Sequence, residues 1–265
     1  MEKVGIHTVS IHPFEVDFKN RITLPLIVNH LLNTAGRHAN ERGFGIQQLN
    51  EHNHTWVLSR LAIELNGRPE CGETLRIHTW IEGLMRSFTQ RNFRFETGEG
   101  EVIGYARSIW AMIDTETRHP VSLIGQGIEE YIHQMDCPIE KPGKITLPEQ
   151  TTQSSFDVTY SDLDINKHLN SAKYVEHITD TLPIEVMERN SPFRFEIEYI
   201  EECHYGERIQ TFWTQSTSDE YLVALSKGDG KMACKCKITF KYERKKTPYL
   251  SNFSYLCIFI RRYIN

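Results

Sequence analysis

The chain has 265 residues, 39% of them hydrophobic and 25% charged, and its formal net charge is −5. This composition is typical of a globular protein and excludes collagen-like, low-complexity and wholly disordered chains. The negative balance argues against a nucleic-acid partner held by bulk positive charge. The length predicts one large domain or two small ones.

Targeting and metal-binding motifs are not recognisable in the sequence. The N-terminus reads Met1-Glu2-Lys3-Val4 and continues without the apolar segment of a secretory signal or the Arg- and Ser-rich composition of a transit peptide. No apolar run approaches the ~20 residues of a membrane span. The sequence has no C-x-x-C pair and no H-E-x-x-H motif. We therefore expect a cytoplasmic protein without stable membrane insertion, metal or cofactor.

The first half of the sequence predicts a strand, a helix and four further strands. Residues 9–18 favour the first strand, and Thr23 can cap a helix that has Pro25 in its first turn and ends near Gly43. One face of this helix is apolar at helical spacing: Leu24, Ile27, Leu31 and Ala35. Strand-like runs separated by turn residues follow at 55–65, 74–80, 88–96 and 102–113.

The second half repeats this plan. Residues 155–160 favour a strand, and Asn170 or Ser171 can cap a helix that Pro183 stops. Four strands are again predicted, at 193–203, 208–214, 221–226 and 232–242. Alternation in the last strand predicts that Cys234 and Cys236 are buried. The predicted fold is α+β, with a long helix against a curved antiparallel sheet in each half and the two halves forming a pseudo-dimer.

Residues 115–150 interrupt the pattern with four prolines, Pro120, Pro138, Pro142 and Pro148. A short helix is predicted within this segment at 128–135. We interpret the segment as a connection between domains and not as part of the core. The predicted division is a first domain at 1–114, a linker at 115–150, a second domain at 151–243 and a C-terminal tail at 244–265.

Two polar motifs in the second half carry a resemblance to a known family. Asp164-x-Asn166-x-His168, just before the second helix, resembles the D-x-N-x-H motif of acyl-acyl-carrier-protein (acyl-ACP) thioesterases. Downstream, the run Y-I-E-E-C at 199–203 is similar to that family's Y-x-x-E-C run. Residues 29–35 and 56–60 are similar to its N-H-x-x-x-T-A helix and W-V-x-x-R strand. The resemblance covers roughly residues 5–243.

The resemblance implies two tandem hotdog units and hydrolysis of the thioester that joins a fatty acyl chain to acyl carrier protein. Glu202 is then the general base on water, and Asn166 orients the water or the carbonyl. His168 hydrogen-bonds the reacting groups or tunes Glu202, while Asp164 holds Asn166 or His168 in place. Free backbone N–H groups at the start of the second helix can polarise the carbonyl. The implied partner is acyl carrier protein, and the implied process is fatty acid biosynthesis.

Cys203 leaves a second chemistry open, because cysteine with histidine and asparagine also suits a thiol nucleophile. The residues do not choose between attack by Cys203 and attack by water activated by Glu202; we favour the water. Strand alternation places Glu202 on the face away from its own helix. We therefore expect the strand's edge, or a bulge near Ile200, to bring it to Asn166 and His168.

We expect one active site, since Lys19 and Arg21 stand where the first half would need Asn and His. The first half is then free to build the acyl pocket, from residues that otherwise serve as core: Leu24, Ile27, Leu31, Leu32, Trp56, Leu58 and Trp110. Two alternative functions stay open, an acyl-CoA thioesterase and a catalytically inactive hotdog module that binds acyl groups or regulates. A hotdog hydratase fits less well, because Lys167 and Leu169 stand near the positions where its motif has Pro and Asp.

The carrier protein is acidic in this family's biology, so docking on a negatively charged chain requires a local basic patch. The candidates are Lys235, Lys237, Lys241, Arg244, Lys245 and Lys246, and a solvated strand face is the alternative. Residues 255–264 of the tail are rich in apolar and aromatic side chains. We expect them to pack on the body of the protein or in a homodimer contact. The adjacent Arg261 and Arg262 make a membrane surface the alternative.

Overall fold

Ten antiparallel strands form one sheet in the computed structural model, which describes residues 2–147 and 152–242. Their order across the sheet is β1-β3-β4-β5-β2-β7-β10-β9-β8-β6, so the second five strands mirror the first five. The strands are β1 Gly5–Ser10, β2 His54–Leu65, β3 Thr74–Leu84, β4 Phe88–Thr97, β5 Val102–Asp114, β6 Thr152–Asp157, β7 Asn190–Tyr199, β8 Arg208–Gln215, β9 Glu220–Lys227 and β10 Met232–Tyr242. This mirror order is the duplicated α+β plan that the sequence predicts.

Two long helices cover one face of the sheet and contact each other. They are α1 Leu24–Asn40 and α3 Ser171–Thr181, and each is followed by a short helix, α2 Ile46–Asn50 and α4 Ile184–Arg189. Their apolar faces and the inner side chains of the strands share one core cluster, which includes Leu31 and Ile178. Among the described residues, no helix is long and apolar enough to cross a membrane.

The two halves are joined by pairing of β2 with β7, which makes the two half-sheets continuous. Ile63 lies opposite Phe195 in this pair, and both side chains are buried in the core. On the other face, Arg60 lies opposite Glu198 and donates to its Oε1 at 2.7 Å. Since each half covers an open sheet edge of the other, neither edge is left to pair with a foreign strand.

Several element boundaries differ from the prediction. The first strand ends at Ser10, because Pro13–Glu15 forms a 3-10 helix in which the buried Glu15 accepts the N–H of His12 at 2.8 Å. The predicted strand at 193–203 starts earlier and ends at Tyr199, and α2 and α4 were not predicted. In β10, Cys234 and Cys236 are both fully buried, as predicted.

The interpretation of residues 115–150 as lying outside the core is wrong for the part that the structure describes. Leu123 and Ile128 are buried in a cluster with Met112, while Cys137 and Ile139 pack on Trp80. The predicted helix at 128–135 is a 3-10 helix, Ile128–Tyr131. The segment therefore packs on the first half-sheet and is not a separate connection between domains. Residues 244–265 and the predicted packing of 255–264 lie outside the described residues.

The seam between the halves gives a stability prediction. Phe195→Ala should lower the free energy of unfolding by ~3–5 kcal/mol, because the cavity would open where both half-sheets meet the shared core. Ile6→Ala, in the exposed face of β1, is the matched control and should change it by less than ~0.5 kcal/mol. Urea denaturation measures both; similar losses in the two variants would contradict a seam that stabilises the whole sheet.

Candidate active site

Residues 164–168 form a tight loop closed around the carboxylate of Asp164. Its Oδ1 accepts the backbone N–H of Asn166 at 2.8 Å and of His168 at 3.1 Å. The N–H of Asp164 in turn donates to the carbonyl of His168 at 2.8 Å, and Lys167 turns the chain with a φ of 64°. Aspartate favours such loops because its short side chain reaches backbone donors two to four residues ahead. The loop therefore fixes the backbone positions of Asn166 and His168.

Asn170 ends the loop and begins α3. Its Oδ1 accepts the N–H of Ala172 at 2.8 Å, and its carbonyl accepts the N–H of Lys173 at 2.8 Å. Of the two predicted caps, Asn170 and Ser171, the structure uses Asn170. These same bonds occupy two of the backbone donors that the sequence interpretation left free to polarise a carbonyl, so Ala172 and Lys173 do not offer them.

Glu202 reaches the loop because β7 ends in an irregularity. The N–H groups of Ile200 and Glu201 both point at the carbonyl of Ala233, at 2.9 and 3.1 Å. This breaks the alternation of the strand at the place where a bulge was expected. Beyond it, the N–H of Leu169 donates to the carbonyl of Cys203 at 2.8 Å, which brings the two motifs side by side.

The structure places His168 and Glu202 against each other. Nδ1 of His168 lies 3.5 Å from Oε1 of Glu202, and the ring of His204 stands edge-on to the ring of His168 with centroids 4.9 Å apart. Asn166, two residues earlier on the loop, is exposed. Among the described residues, its side-chain amide has no hydrogen-bond partner. A carboxylate, an imidazole and an exposed amide therefore lie at one edge of the second half.

Cys203 faces the interior instead of this edge. Its side chain is fully buried in the core cluster. Burial raises the pKa of its thiol above the ordinary value, and a hydrogen bond with Tyr174 only partly opposes this. A thiol with a raised pKa is a poor nucleophile at neutral pH. The hydroxyl of Tyr174 also donates to the carbonyl of Glu201 at 3.1 Å, so this pair ties α3 to the segment that carries Glu202.

The sequence alone did not indicate Arg118, which comes from the first half. Its guanidinium donates to Oε1 of Glu202, the same oxygen that faces His168. Arg118 lies in the loop after β5 and has a left-handed backbone with a φ of 60°. Neither motif contains it, and its spacing from Glu202 along the chain carries no signal of contact.

The first half builds the same loop with different side chains. Oδ1 of Asp17 accepts the N–H groups of Lys19 at 2.9 Å and Arg21 at 3.1 Å, as Asp164 does for Asn166 and His168. Arg21 forms an isolated backbone β-bridge with Glu70, and His168 forms the corresponding β-bridge with His204. This correspondence supports the interpretation that Lys19 and Arg21 replace the residues of the second-half motif.

The counterpart of Glu202 in the first half is Arg68, because each stands two residues before its bridge residue, Glu70 or His204. Arg68 is nearly buried and donates to Oδ2 of Asp17 at 3.0 Å and to Oγ of Ser191 at 3.3 Å. A guanidinium thus stands where the second half has a carboxylate. The first half therefore lacks a carboxylate at the position of Glu202, and Arg68 bonds its loop to the second half instead.

The candidate residues for an acyl pocket and for a docking patch are also placed by the structure. The aliphatic ones on α1 pack in the shared core or against it, and Nε1 of Trp56 donates to the carbonyl of Phe44 at 2.9 Å. In the proposed patch, Lys235 and Lys237 lie opposite Glu198 and Glu196, and Lys237 pairs with Glu196 at 3.0 Å. These acidic neighbours thus offset the positive charge of the two lysines. Arg244, Lys245 and Lys246 lie outside the described residues.

Within residues 2–147 and 152–242, no group of three or more His, Cys, Asp or Glu side chains is arranged to hold a metal ion.

Two family models match the chain. Residues 3–131 match the acyl-ACP thioesterase N-terminal domain, and residues 145–242 match the C-terminal domain. A crystal structure of an acyl-ACP thioesterase from Bacteroides thetaiotaomicron is 44% identical, with a TM-score of 0.87, over 90% of this chain and 98% of that one. The 12:0-ACP thioesterase from Umbellularia californica is similar in fold, with a TM-score of 0.79 at 21% identity over 91% of this chain and 95% of that one. These likenesses confirm the predicted fold of two hotdog units.

Curated plant proteins are more distant relatives. A chloroplastic palmitoyl-acyl carrier protein thioesterase from Gossypium hirsutum is 25% identical over 79% of this chain and 54% of its own length. Oleoyl-acyl carrier protein thioesterase 2 from Arabidopsis thaliana is 24% identical over 83% of this chain and 65% of its own length. The chain thus spans about half to two thirds of the length of these relatives.

The buried carboxyl of Asp162, just before the loop, gives a pH prediction. Burial works to raise the pKa of Asp162, but hydrogen bonds from Thr159 and His177 outweigh it and hold that pKa below the ordinary value. A lowered pKa contributes stability above the unfolded-state value, near 4, and that contribution is lost as pH falls through the folded-state value. The free energy of unfolding should therefore fall below about pH 4 more steeply in the wild type than in Asp162→Asn.

Urea denaturation at pH 7, 5, 4 and 3 measures this difference in slope. Asp157→Asn is the control, because it removes the same charge from an exposed residue nearby. Equal slopes for the wild type and Asp162→Asn would contradict the assignment of a depressed pKa to Asp162.

Proposed function

Because the chain belongs to the acyl-ACP thioesterase family, we propose that it hydrolyses the thioester of fatty acyl-acyl carrier protein. The products are a free fatty acid and the carrier protein's thiol, and the reaction ends chain elongation. The observation that carries the proposal is the contact of His168 with Glu202 at the accessible edge of the second half. A carboxylate beside an imidazole, with the free amide of Asn166 on the same loop, is a set of groups that can activate water and hold a carbonyl.

The proposed reaction begins with a water molecule held by Glu202. The carboxylate takes a proton from the water as the water oxygen bonds to the carbonyl carbon of the thioester. The side-chain N–H groups of Asn166 and His168 stabilise the negative charge that develops on the carbonyl oxygen. The carbon–sulfur bond then breaks, and the leaving thiolate receives the proton that Glu202 holds. Atoms and charge balance without a metal or a cofactor.

Asp164 and Cys203 act indirectly in this proposal. Asp164 fixes the backbone of Asn166 and His168, so it positions the two donors without touching the substrate. Cys203 contributes packing and a carbonyl that binds Leu169. Its complete burial and raised pKa favour activated water over a cysteine nucleophile.

We place the enzyme in the cytoplasm and propose two units, 1–114 and 151–243, with residues 115–147 packed on the first unit. A homodimer contact is one proposed role of the tail, residues 244–265. Docking of an acidic carrier protein would use Lys241, which is exposed at the end of β10, together with the basic residues 244–246. Lys235 and Lys237 contribute less, because Glu198 and Glu196 lie opposite them.

The proposed substrate is tested by measuring thiol release from acyl-ACP and from acyl-CoA at matched chain lengths. We expect a higher kcat/KM with acyl-ACP, because only the carrier protein offers a docking surface beyond the pantetheine arm. A preference for acyl-CoA would favour the alternative thioesterase, and no turnover of either would favour an inactive acyl-binding module. Glu202→Gln purified in the same way controls for contaminating host thioesterases.

The proposed roles predict an order among three variants. Glu202→Ala and Asp164→Ala should each lower kcat by at least ~100-fold, since one loses the base and the other the anchor of both donors. Cys203→Ala should keep more activity than Glu202→Ala. Steady-state kinetics with thermal melting as the folding control measure these changes. Near-normal turnover in the first two variants would refute the site, and the reverse order would restore Cys203 as nucleophile.

A further inference from the structure

Glu202 is held firmly by its backbone but weakly by its side-chain contact with His168. The Nζ of Lys227 donates to the carbonyl of Glu202 at 3.1 Å and also pairs with Glu207 at 3.0 Å, so the segment itself is fixed. The distance of 3.5 Å between His168 Nδ1 and Glu202 Oε1 is longer than an ordinary hydrogen bond. A third of the Glu202 side chain is exposed, so His168 alone does not fix its rotamer.

Within residues 2–147 and 152–242, the other side-chain contact of that carboxylate is with Arg118. Its guanidinium donates to Oε1 of Glu202, the oxygen that faces His168. A charged hydrogen bond of this kind is directional, so it constrains where the carboxylate oxygen lies. The contact therefore acts on the atom whose placement matters for proton transfer.

Arg118 is presented by a loop with a defined shape. Oδ1 of Asp114 accepts the N–H groups of Glu116 at 3.1 Å and Thr117 at 2.7 Å, and the carbonyl of Asp114 accepts the N–H of Arg118 at 2.9 Å. The loop is also bonded to the start of β2, where the N–H of Thr115 donates to the carbonyl of Asn53 at 2.7 Å. This backbone belongs to the first half, so its position relative to Glu202 is set by the seam between the halves.

We propose that Arg118 is a positioning residue through which the first half orients the Glu202 carboxylate toward His168. The inference rests on the proposed function, because it assigns Arg118 to the base of that reaction. The competing explanation is an ordinary surface ion pair, which contributes little to stability and nothing to catalysis. The two differ in whether the effect of Arg118 on turnover requires the Glu202 carboxylate.

The test is a double-mutant cycle of Arg118→Gln and Glu202→Gln. Arg118→Gln should lower kcat by ~10- to 100-fold, the effect of a misplaced catalytic group, with KM changed less than about twofold. Arg118→Lys should recover part of the loss, since it keeps the charge. In the Glu202→Gln background, Arg118→Gln should change the residual turnover by less than about twofold, because the group that it positions is already gone. Arg208→Gln is the matched control, an exposed arginine paired with Asp157 elsewhere in the second half.

The outcomes decide the proposal. Wild-type kcat in Arg118→Gln, a loss confined to KM, or an equal loss in both backgrounds would overturn it. A crystal structure of Arg118→Gln supplies a readout that does not depend on activity. We expect Glu202 Oε1 to move beyond about 4 Å from His168 Nδ1, the limit of an ion pair, and an unmoved carboxylate would overturn the proposal. An inactive wild type in which the carboxylate still moves would instead refute the proposed function and leave the positioning role supported.

Discussion

The antiparallel pairing of β2 with β7 determines the rest of the structure. It makes ten strands into one sheet and brings α1 and α3 together over one core. In its register Arg60 lies opposite Glu198, so the start of β2 lies beside the end of β7. The loop after β5 is bonded to the start of β2, so the same register carries that loop to the segment that follows β7. The contact between Arg118 and Glu202 is thus a consequence of strand register.

One loop design serves two purposes in this chain. In both halves an aspartate accepts two backbone N–H groups, and a residue with a positive φ turns the chain, Asn20 in the first half and Lys167 in the second. The backbone is therefore kept while the side chains differ. Where the second half has the exposed Asn166, the first half has Lys19, whose Nζ donates to the carbonyl of Asn190 at 2.9 Å. The second-half loop thus carries the candidate site residues, and the first-half loop bonds the two halves together.

Much of the fold could be predicted from the sequence because local patterns determine it. Alternation predicts both ends of β10, and the two candidate caps, Asn170 and Ser171, predict the start of α3 to within one residue. The predicted first strand is too long, because Pro13 and the buried Glu15 turn the chain into a 3-10 helix. The hydrogen bonds of Glu15 cannot be inferred from hydropathy. The linker was misjudged for a similar reason, since isolated apolar residues such as Leu123 become core only when a sheet face lies beneath them.

Part of the candidate site could also be predicted from the sequence, and part could not. Asp164, Asn166, His168 and Glu202 lie in two short motifs, and the irregularity after Tyr199 that brings them together was expected from strand parity. Arg118 was missed because its contact depends on the pairing of strands distant in sequence. The occupied N–H groups of Ala172 and Lys173 were missed because a capping side chain and a free helix start have the same sequence signature.

The replacement of a carboxylate by Arg68 breaks the symmetry of the molecule. In a dimer of identical hotdog subunits, every substitution appears twice, so a change that suits one loop is imposed on the other. In this chain the two loops are encoded separately, and Arg68 can neutralise Asp17 without placing a cation beside Asp164. Fusion of the halves therefore lets the charges of one loop change while the side chains of the other loop are kept.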